Sequence, residues 1–293
     1  MPTVKESYAH CRRVARARAR NFYYSFLLLP REQKDAMCAI YAFMRHADDI
    51  SDQPGPPLKA RRQALSAWRG ALERALQGNY NGDPILPAFH DTVIRYAIPE
   101  QYFFDLLDGV NSDLHPRRFA TFDDVYRYCY QVASVVGMTT VHVFGFESPE
   151  ALPLAEKCGV AFQLTNILRD IAEDAGAGRV YLPEDDLARF DLTPRDLIER
   201  RQGERFRALM EFEWQRANRY YDDAAPLLGL IRPGSRAAMW TLITIYRRIL
   251  RRIRAVGFDV YGQRPSLGDL EKSWILLRAL KLRLLGGAPP FPA

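Results

Sequence analysis

The sequence predicts an all-α protein in one domain, and three observations carry that expectation. Apolar residues recur at helical intervals from near residue 5 to residue 285, no stretch of useful length alternates with the two-residue period of a strand, and no internal repeat is visible. Two rows of side-chain oxygens, far apart in the chain, lie on separate apolar helical patterns and make chemical sense only if they meet. The short breaks between them are therefore turns, not linkers. The domain is assigned to residues 1–285, and the Gly- and Pro-rich segment 286–293 is expected to be a disordered tail.

The first helix is expected over residues 5–20, with Tyr8, Cys11, Val14 and Ala15 on its apolar face. Residues 21–30 read as a loop-like entry rich in aromatics, and Pro30 starts the next helix near Arg31. That helix carries Arg45, Asp48, Asp49 and Asp52 at i, i+3, i+4 and i+7, which is one face. Pro54, Gly55, Pro56 and Pro57 must end it. Helical periodicity resumes over 58–76, breaks at 78–84, and returns over 85–109 with Pro99 as a first-turn residue. A further helix is expected over 122–146, where Ala133, Ser134 and Gly137 recur every three or four positions and leave room for a ligand or for close helix packing.

Residues 163–174 hold the second row, with Gln163, Asn166, Asp170 and Asp174 on one stripe. Phe162, Leu164, Ile167, Leu168 and Ile171 cover the other faces, so the helix should be buried. Gly176 and Gly178 end it. Beyond Pro194 the pattern gives three more helices, over 196–225, 234–256 and 267–285.

Either row alone reads equally well as solvated acids on a surface helix. Burying carboxylates is costly unless cations meet them, and Mg²⁺ takes carboxylate and amide oxygens. Two such rows on separate buried helices can face each other across a cavity and hold two or three Mg²⁺ ions, which implies a polyanionic ligand.

Composition agrees. At 293 residues and 48% hydrophobic content the chain can bury a large core. Its four cysteines, Cys11, Cys38, Cys129 and Cys158, are far apart, without metal-site spacing, and are expected to be reduced core residues of a cytoplasmic protein. The start has no apolar signal-like run, and no later run approaches the roughly 18 apolar residues of a membrane span. The net charge of +6 and pI near 9.2 come with arginine clusters at 12–20 and 247–254. No nucleic-acid-binding pattern accompanies them, so no nucleic-acid partner is expected. Solvated helix faces, diphosphate contacts or peripheral contact with an anionic inner membrane face account for them.

The two rows resemble the paired aspartate-rich motifs of the squalene/phytoene synthase family: Asp48-Asp49-Ile-Ser-Asp52 and Asn166-Ile-Leu-Arg-Asp170-Ile-Ala-Glu-Asp174. The flanks Tyr41-Ala-Phe-Met-Arg45 and Arg179-Val-Tyr181-Leu-Pro match as well, and the similarity runs from about Tyr8 to Phe258. The resemblance implies an isoprenoid synthase fold, helices around a central apolar cavity, and head-to-head joining of two prenyl diphosphates. It implies metal ligation by Asp48, Asp49, Asp52, Asn166, Asp170 and Asp174. Diphosphate contacts would come from Asn21, Arg45, Gln163, Arg169, Arg179 and Tyr181, and a cavity wall from Phe22, Tyr24, Phe26, Val132, Ala133 and Gly137. Tyr41, Tyr128, Tyr246 or a released diphosphate oxygen would take the proton lost on cyclopropane formation, with Arg45 assisting ionisation. The chain departs from the family at Ala19 and Asn21, where serines are common, at Asn111, where an acid is usual, and at Ser134, where glycine is frequent; Asp108 and Asp113, on either side of Asn111, are read as capping or solvated acids in preference to site residues.

The segment from Val132 to Gly137 is similar to the bacterial hopanoid branch. The expected reaction is therefore condensation of two farnesyl diphosphates to presqualene diphosphate and on to squalene, NADPH being needed only for that last step. Phytoene or dehydrosqualene synthesis is the alternative. A non-catalytic assembly factor or isoprenoid carrier of the same fold is another, although such a protein has no reason to keep both rows. Donor length and oligomeric state are not written in the sequence.

Overall fold

Thr3 opens helix α1 (Val4–Arg18) with a reciprocal cap: its hydroxyl accepts from the Glu6 amide, and Glu6 Oε2 accepts from the Thr3 amide at 2.8 Å. The computed structural model describes residues 2–292 except 53–54, 115–117 and 286–290. The side chains at positions 20, 21 and 285 also fall outside the described set. Helix α2 (Arg20–Phe26) follows after one residue, so the expected loop-like entry is in part a helix. No Gly or Pro interrupts it, and the Ser25 hydroxyl donates to the Phe22 carbonyl at 2.7 Å. Helices α3 (Arg31–Asp52) and α4 (Leu58–Leu76) each begin directly after a proline, as the fixed φ of that residue favours.

The expected helix over 85–109 is two, α5 (Leu86–Arg95) and α6 (Gln101–Ser112). Pro99 lacks the N–H that a continuous helix would use, and Ala97 turns the chain at φ 47°. The stretch over 122–146 is likewise divided into α7 (Phe122–Cys129), a π-helical turn (Tyr130–Ser134) and α8 (Val135–Phe144). The second oxygen row lies on α9 (Ala151–Gly176). Helix α10 (Glu184–Arg189) was not legible in the periodicity. The expected helix over 196–225 is α11 (Pro194–Ile198) and α12 (Glu204–Asp223), separated where Arg200 takes φ 57°. Helices α13 (Leu227–Leu230), α14 (Pro233–Ala255) and α15 (Asp269–Leu285) complete the chain. Among the described residues the one β-type contact is an isolated bridge between Phe146 and Ile231.

Helix α3 packs on α1, α4, α5, α6 and α8, and α9 packs on α8, α12, α14 and the π turn. On the far side of α3, Phe43 stacks on Phe89 at 4.2 Å and on Trp68 at 5.2 Å, with Phe103 edge-on. Losing that fully buried ring would cost about 3–5 kcal/mol. This aromatic anchor fixes α3 so that its other face looks into the molecule. Helix α9 is seated by glycine: a Cβ on Gly159 would come within 2.5 Å of Ser134 Cα, and one on Gly137 within 2.8 Å of the Ala155 carbonyl oxygen. The small-residue spacing thus serves close packing between α9 and the π turn with α8. All four cysteines are buried and unpaired. Of the tail segment only Phe291 and Pro292 are described, and the Phe291 ring lies 5.3 Å from the Arg247 guanidinium. No described helix is long and apolar enough to cross a membrane.

Candidate active site

Between α3 and α9 lies a cavity of about 250 Å³. Helix α3 contributes Met37, Ile40, Tyr41, Met44, Arg45 and Asp48, while α9 contributes Ala155, Cys158, Gly159, Phe162, Gln163 and Asn166. The remaining wall comes from Phe22 and Phe26 of α2, Leu106, Val132 and Ala133 of the π turn, Val136, Gly137 and Thr140 of α8, Leu227, and Met239, Leu242 and Tyr246 of α14. Oxygen-bearing side chains from both rows therefore border one mostly apolar hollow. The π turn matters here because its extra residue aims both Val132 and Ala133 into the space.

Each row divides its charge in the same way. On α3, Asp49 is paired with Arg45 and, at 3.4 Å, with Arg18 from α1. On α9, Asp170 accepts from Arg169 at 2.6 and 2.8 Å and from Arg264 at 2.7 Å. Burial pushes the Asp170 carboxyl upward, but those guanidinium hydrogen bonds outweigh it and hold the group below the usual aspartate range. Asp48 and Asp174 have no ion pair among the described residues. Burial, then the neighbouring Asp52, lifts Asp48 to about 7. Burial, then Asp170, lifts Asp174 to about 7. The charge of Asp113 adds in the same upward direction to both.

The fit to divalent cations rests on donor chemistry and unbalanced charge. The rows offer carboxylate and amide oxygens only, and two of their acids are raised by burial and crowding that a hard cation would relieve. Among the described residues no group of three or more His, Cys, Asp or Glu side chains stands ready to hold a metal by itself.

Of the six expected metal ligands, Asp48 and Asn166 line this cavity, whereas Asp49, Asp52, Asp170 and Asp174 lie farther along α3 and α9, and Arg169 also stands outside the lining. Tyr128 and Tyr181 do not line the cavity. They stack at 5.2 Å and donate their hydroxyls to Asp113, each at 3.1 Å. Asp174, Arg179 and Tyr181 border a second, smaller hollow, where burial pulls the Arg179 guanidinium down but the Tyr181, Asp113 and Asp52 groups outweigh it and raise it above its usual range. Tyr24, expected in the wall, instead reaches Asp269 at 3.4 Å and lies under Lys272, because α15 packs over that side of α2. The Asn21 side chain, expected at diphosphate, lies outside the described set. From the sequence, Arg264 has no role, Arg18 belongs to the basic cluster at 12–20 without being singled out, and Asp108 and Asp113 fall to capping or solvation. Asp108 does pair outward with Arg69 at 2.5 Å, whereas Asp113 is half-buried beneath the Tyr128 and Tyr181 hydroxyls. The one signal for Asp113 was its acid in a segment where the family usually carries one nearby. Arg264 sits in an irregular segment and gave no signal.

Aromatic rings frame the cavity's inner part. Tyr246 stacks on Phe162 at 4.3 Å and 10°, and Phe22 lies 5.8 Å from Tyr246. Burial pushes the Tyr246 phenol up to about 12, and Tyr41 is raised for the same reason. An anion-gripping mouth over an aromatic, water-poor chamber can ionise a diphosphate ester and shelter the resulting carbocation.

A family sequence model described as squalene/phytoene synthase matches residues 15–271. The chain is 35% identical to a 15-cis-phytoene synthase of Synechococcus elongatus over 97% of this chain and 94% of that one. It is 36% identical to a phytoene synthase of Arthrospira platensis over 97% and 96%. Among solved structures, a dehydrosqualene synthase in complex with ligand superposes with a TM-score of 0.86 at 28% identity, covering 95% of this chain and 96% of that one. Squalene synthase HpnC from Alicyclobacillus acidocaldarius gives 0.81 at 28% identity, covering 87% and 95%. The all-α architecture is that of these neighbours.

Proposed function

Because this chain belongs to the squalene/phytoene synthase family, we propose that it condenses two C15 prenyl diphosphates head to head, giving a cyclopropylcarbinyl diphosphate of the presqualene type. The observation that carries the reading is the mostly apolar cavity bordered by Asp48 of α3 and by Gln163 and Asn166 of α9, the other acids of the two rows lying farther along the same two helices. Two structural neighbours named for C30 products, and the Val132 to Gly137 segment, support C15 donors. The C20 reading, phytoene synthesis, is favoured by the names of the full-length relatives at 35–36% identity.

Asp48, Asp49, Asp52, Asn166, Asp170 and Asp174 would hold Mg²⁺, which when bound supplies Lewis-acid neutralisation of the leaving diphosphate. Arg45, which lines the cavity, and Arg179 would add charge-assisted donors to the same oxygens, and Arg169 would hold Asp170 in position. The faces of Phe22, Phe162 and Tyr246 exclude water and stabilise the allylic cation until the second donor's double bond closes on it. The proton lost on ring closure goes to a released diphosphate oxygen, because Tyr41, Tyr128 and Tyr246 all hold their own protons more tightly than free phenols. Reduction to squalene would require NADPH from outside.

Mass analysis of products from mixed C10, C15 and C20 diphosphates, with and without Mg²⁺ and NADPH, tests both readings. A C30 product from C15 donors supports the first, and a C40 product supports the second. No diphosphate release with any donor rejects both and leaves the carrier alternative.

A further inference from the structure

Helix α15 is apolar on two sides. Its inner side, with Ile275 and Ala279 fully buried, packs on α14 and α2. Its outer side presents Leu270, Trp274, Leu277, Leu280 and Leu284 at 88, 50, 66, 42 and 79% exposure. Helical spacing puts these five on one arc. They are five of the ten exposed large hydrophobic side chains among the described residues, so half of that exposure is concentrated on one helix. Contiguous apolar surface of this kind marks an interaction site.

The same face is cationic. Arg278 and Lys281 lie exposed on the arc. Arg248 of α14 is 5.2 Å from the Trp274 ring and Arg278 is 5.6 Å from it. Arg248, Arg251 and Arg278 line a hollow of about 270 Å³ together with buried Arg247, which is already paired with Asp222 at 2.6 Å and so leaves the other three as the cations of this face. Burial and the neighbouring Arg247 and Arg248 pull the Arg251 guanidinium below its usual range. Glu271, the only acid between residues 270 and 284, is already taken by Arg252 at 2.7 Å. A second copy docked by a twofold axis would set these cations against their own images. An anionic surface would neutralise them.

We propose that the outer face of α15, with Arg248, Arg251, Arg278 and Lys281, docks this protein onto an anionic lipid bilayer. Trp274 and the leucines enter the acyl boundary while the cations meet headgroup phosphates. Helix α15 covers α2 and α14, which carry Phe22, Phe26, Met239, Leu242 and Tyr246 of the cavity wall. Docking therefore brings lipid within one helix layer of the chamber. The proposal does not rest on the catalytic reading, and its test uses no substrate.

Flotation with vesicles of phosphatidylcholine alone, and of phosphatidylcholine with an equal amount of phosphatidylglycerol, gives the readout. The protein binds the anionic vesicles, binds less as salt rises, and leaves the neutral ones. Arg248→Ala and Arg251→Ala each weaken binding about fivefold. Leu277→Glu with Leu284→Glu abolishes it, while the thermal midpoint and the helical circular dichroism stay unchanged. Absence of wild-type binding to the anionic vesicles, or equal binding by every variant, overturns the proposal. So does a concentration-dependent dimer, seen by ultracentrifugation, that Leu277→Glu dissolves, because the face would then belong to a second copy.

Discussion

On α3, Asp49 is held by Arg45 one turn before it and by Arg18 arriving from α1. On α9, Asp170 is held by Arg169 beside it and by Arg264 arriving from the segment ahead of α15. Each row thus has one acid clamped by a local and a distant arginine, and one acid, Asp48 or Asp174, lifted to about 7. The rows differ in burial. The Arg169–Asp170 pair is 13% and 17% exposed, whereas Arg45–Asp49 is 29% and 40% exposed. The rows differ again towards the cavity, where α9 offers the amides of Gln163 and Asn166 and α3 offers Tyr41, Arg45 and the carboxyl of Asp48. The α9 row is the pre-set half of the site, and the α3 row is the half that solvent and ligand can rearrange.

The comparison breaks most visibly if the two raised acids act independently. Asp48→Asn and Asp174→Asn are each expected to lower kcat/KM by about a thousandfold, and the double variant should fall little further, since both acids serve one diphosphate. Steady-state kinetics on the three variants checks this, and multiplicative losses would separate the rows. The distant arginines sharpen the contrast in burial. Arg264→Ala should raise the half-saturating Mg²⁺ concentration about tenfold, whereas Arg18→Ala, breaking a longer and more exposed contact, should change it less than about threefold.

A smaller effect tests the shared feature. Asp48 and Asp174 titrate near 7 when folded against 3.8 for a free aspartate. The folded chain therefore binds more protons than the unfolded chain between those values. Their contribution to stability is full below the lower value and is lost as pH rises through the upper one. The melting temperature of metal-free protein, scanned by calorimetry, should fall between about pH 5 and about pH 8 by more than that of the double Asn variant. Added Mg²⁺ should stabilise more at the higher pH. The smallest effect concerns Tyr246, whose phenol keeps its proton. Tyr246→Phe should cost no more than about threefold in kcat, and Tyr246→Leu, which removes the ring stacked on Phe162, substantially more.

The oxygen rows were legible because helical spacing alone aligns Asp48 with Asp52 and Asn166 with Asp170, and because prolines mark where α3 and α4 begin. The division of 85–109 was half marked, since Pro99 signals a helix start but nothing local signals the positive φ of Ala97. The division of 196–225 carried no mark, because the non-glycine Arg200 takes a positive φ that its side chain does not favour. The π turn was hidden for a related reason, since its extra residue answers to Gly159 on another helix. Tyr24 was misplaced because its partner, Asp269, lies on α15. Arg264 and Asp113 reach the site from irregular or helix-terminal positions, where periodicity carries no information about direction.

Diffraction from crystals grown with Mn²⁺ and a non-ionising prenyl thiodiphosphate addresses the central claim most directly. Anomalous peaks joined to carboxylates of both α3 and α9, with the prenyl chain lying between Phe26 and Tyr246, are the expected result. Metal bound to one helix alone, or a diphosphate seated away from the shared cavity, would contradict it.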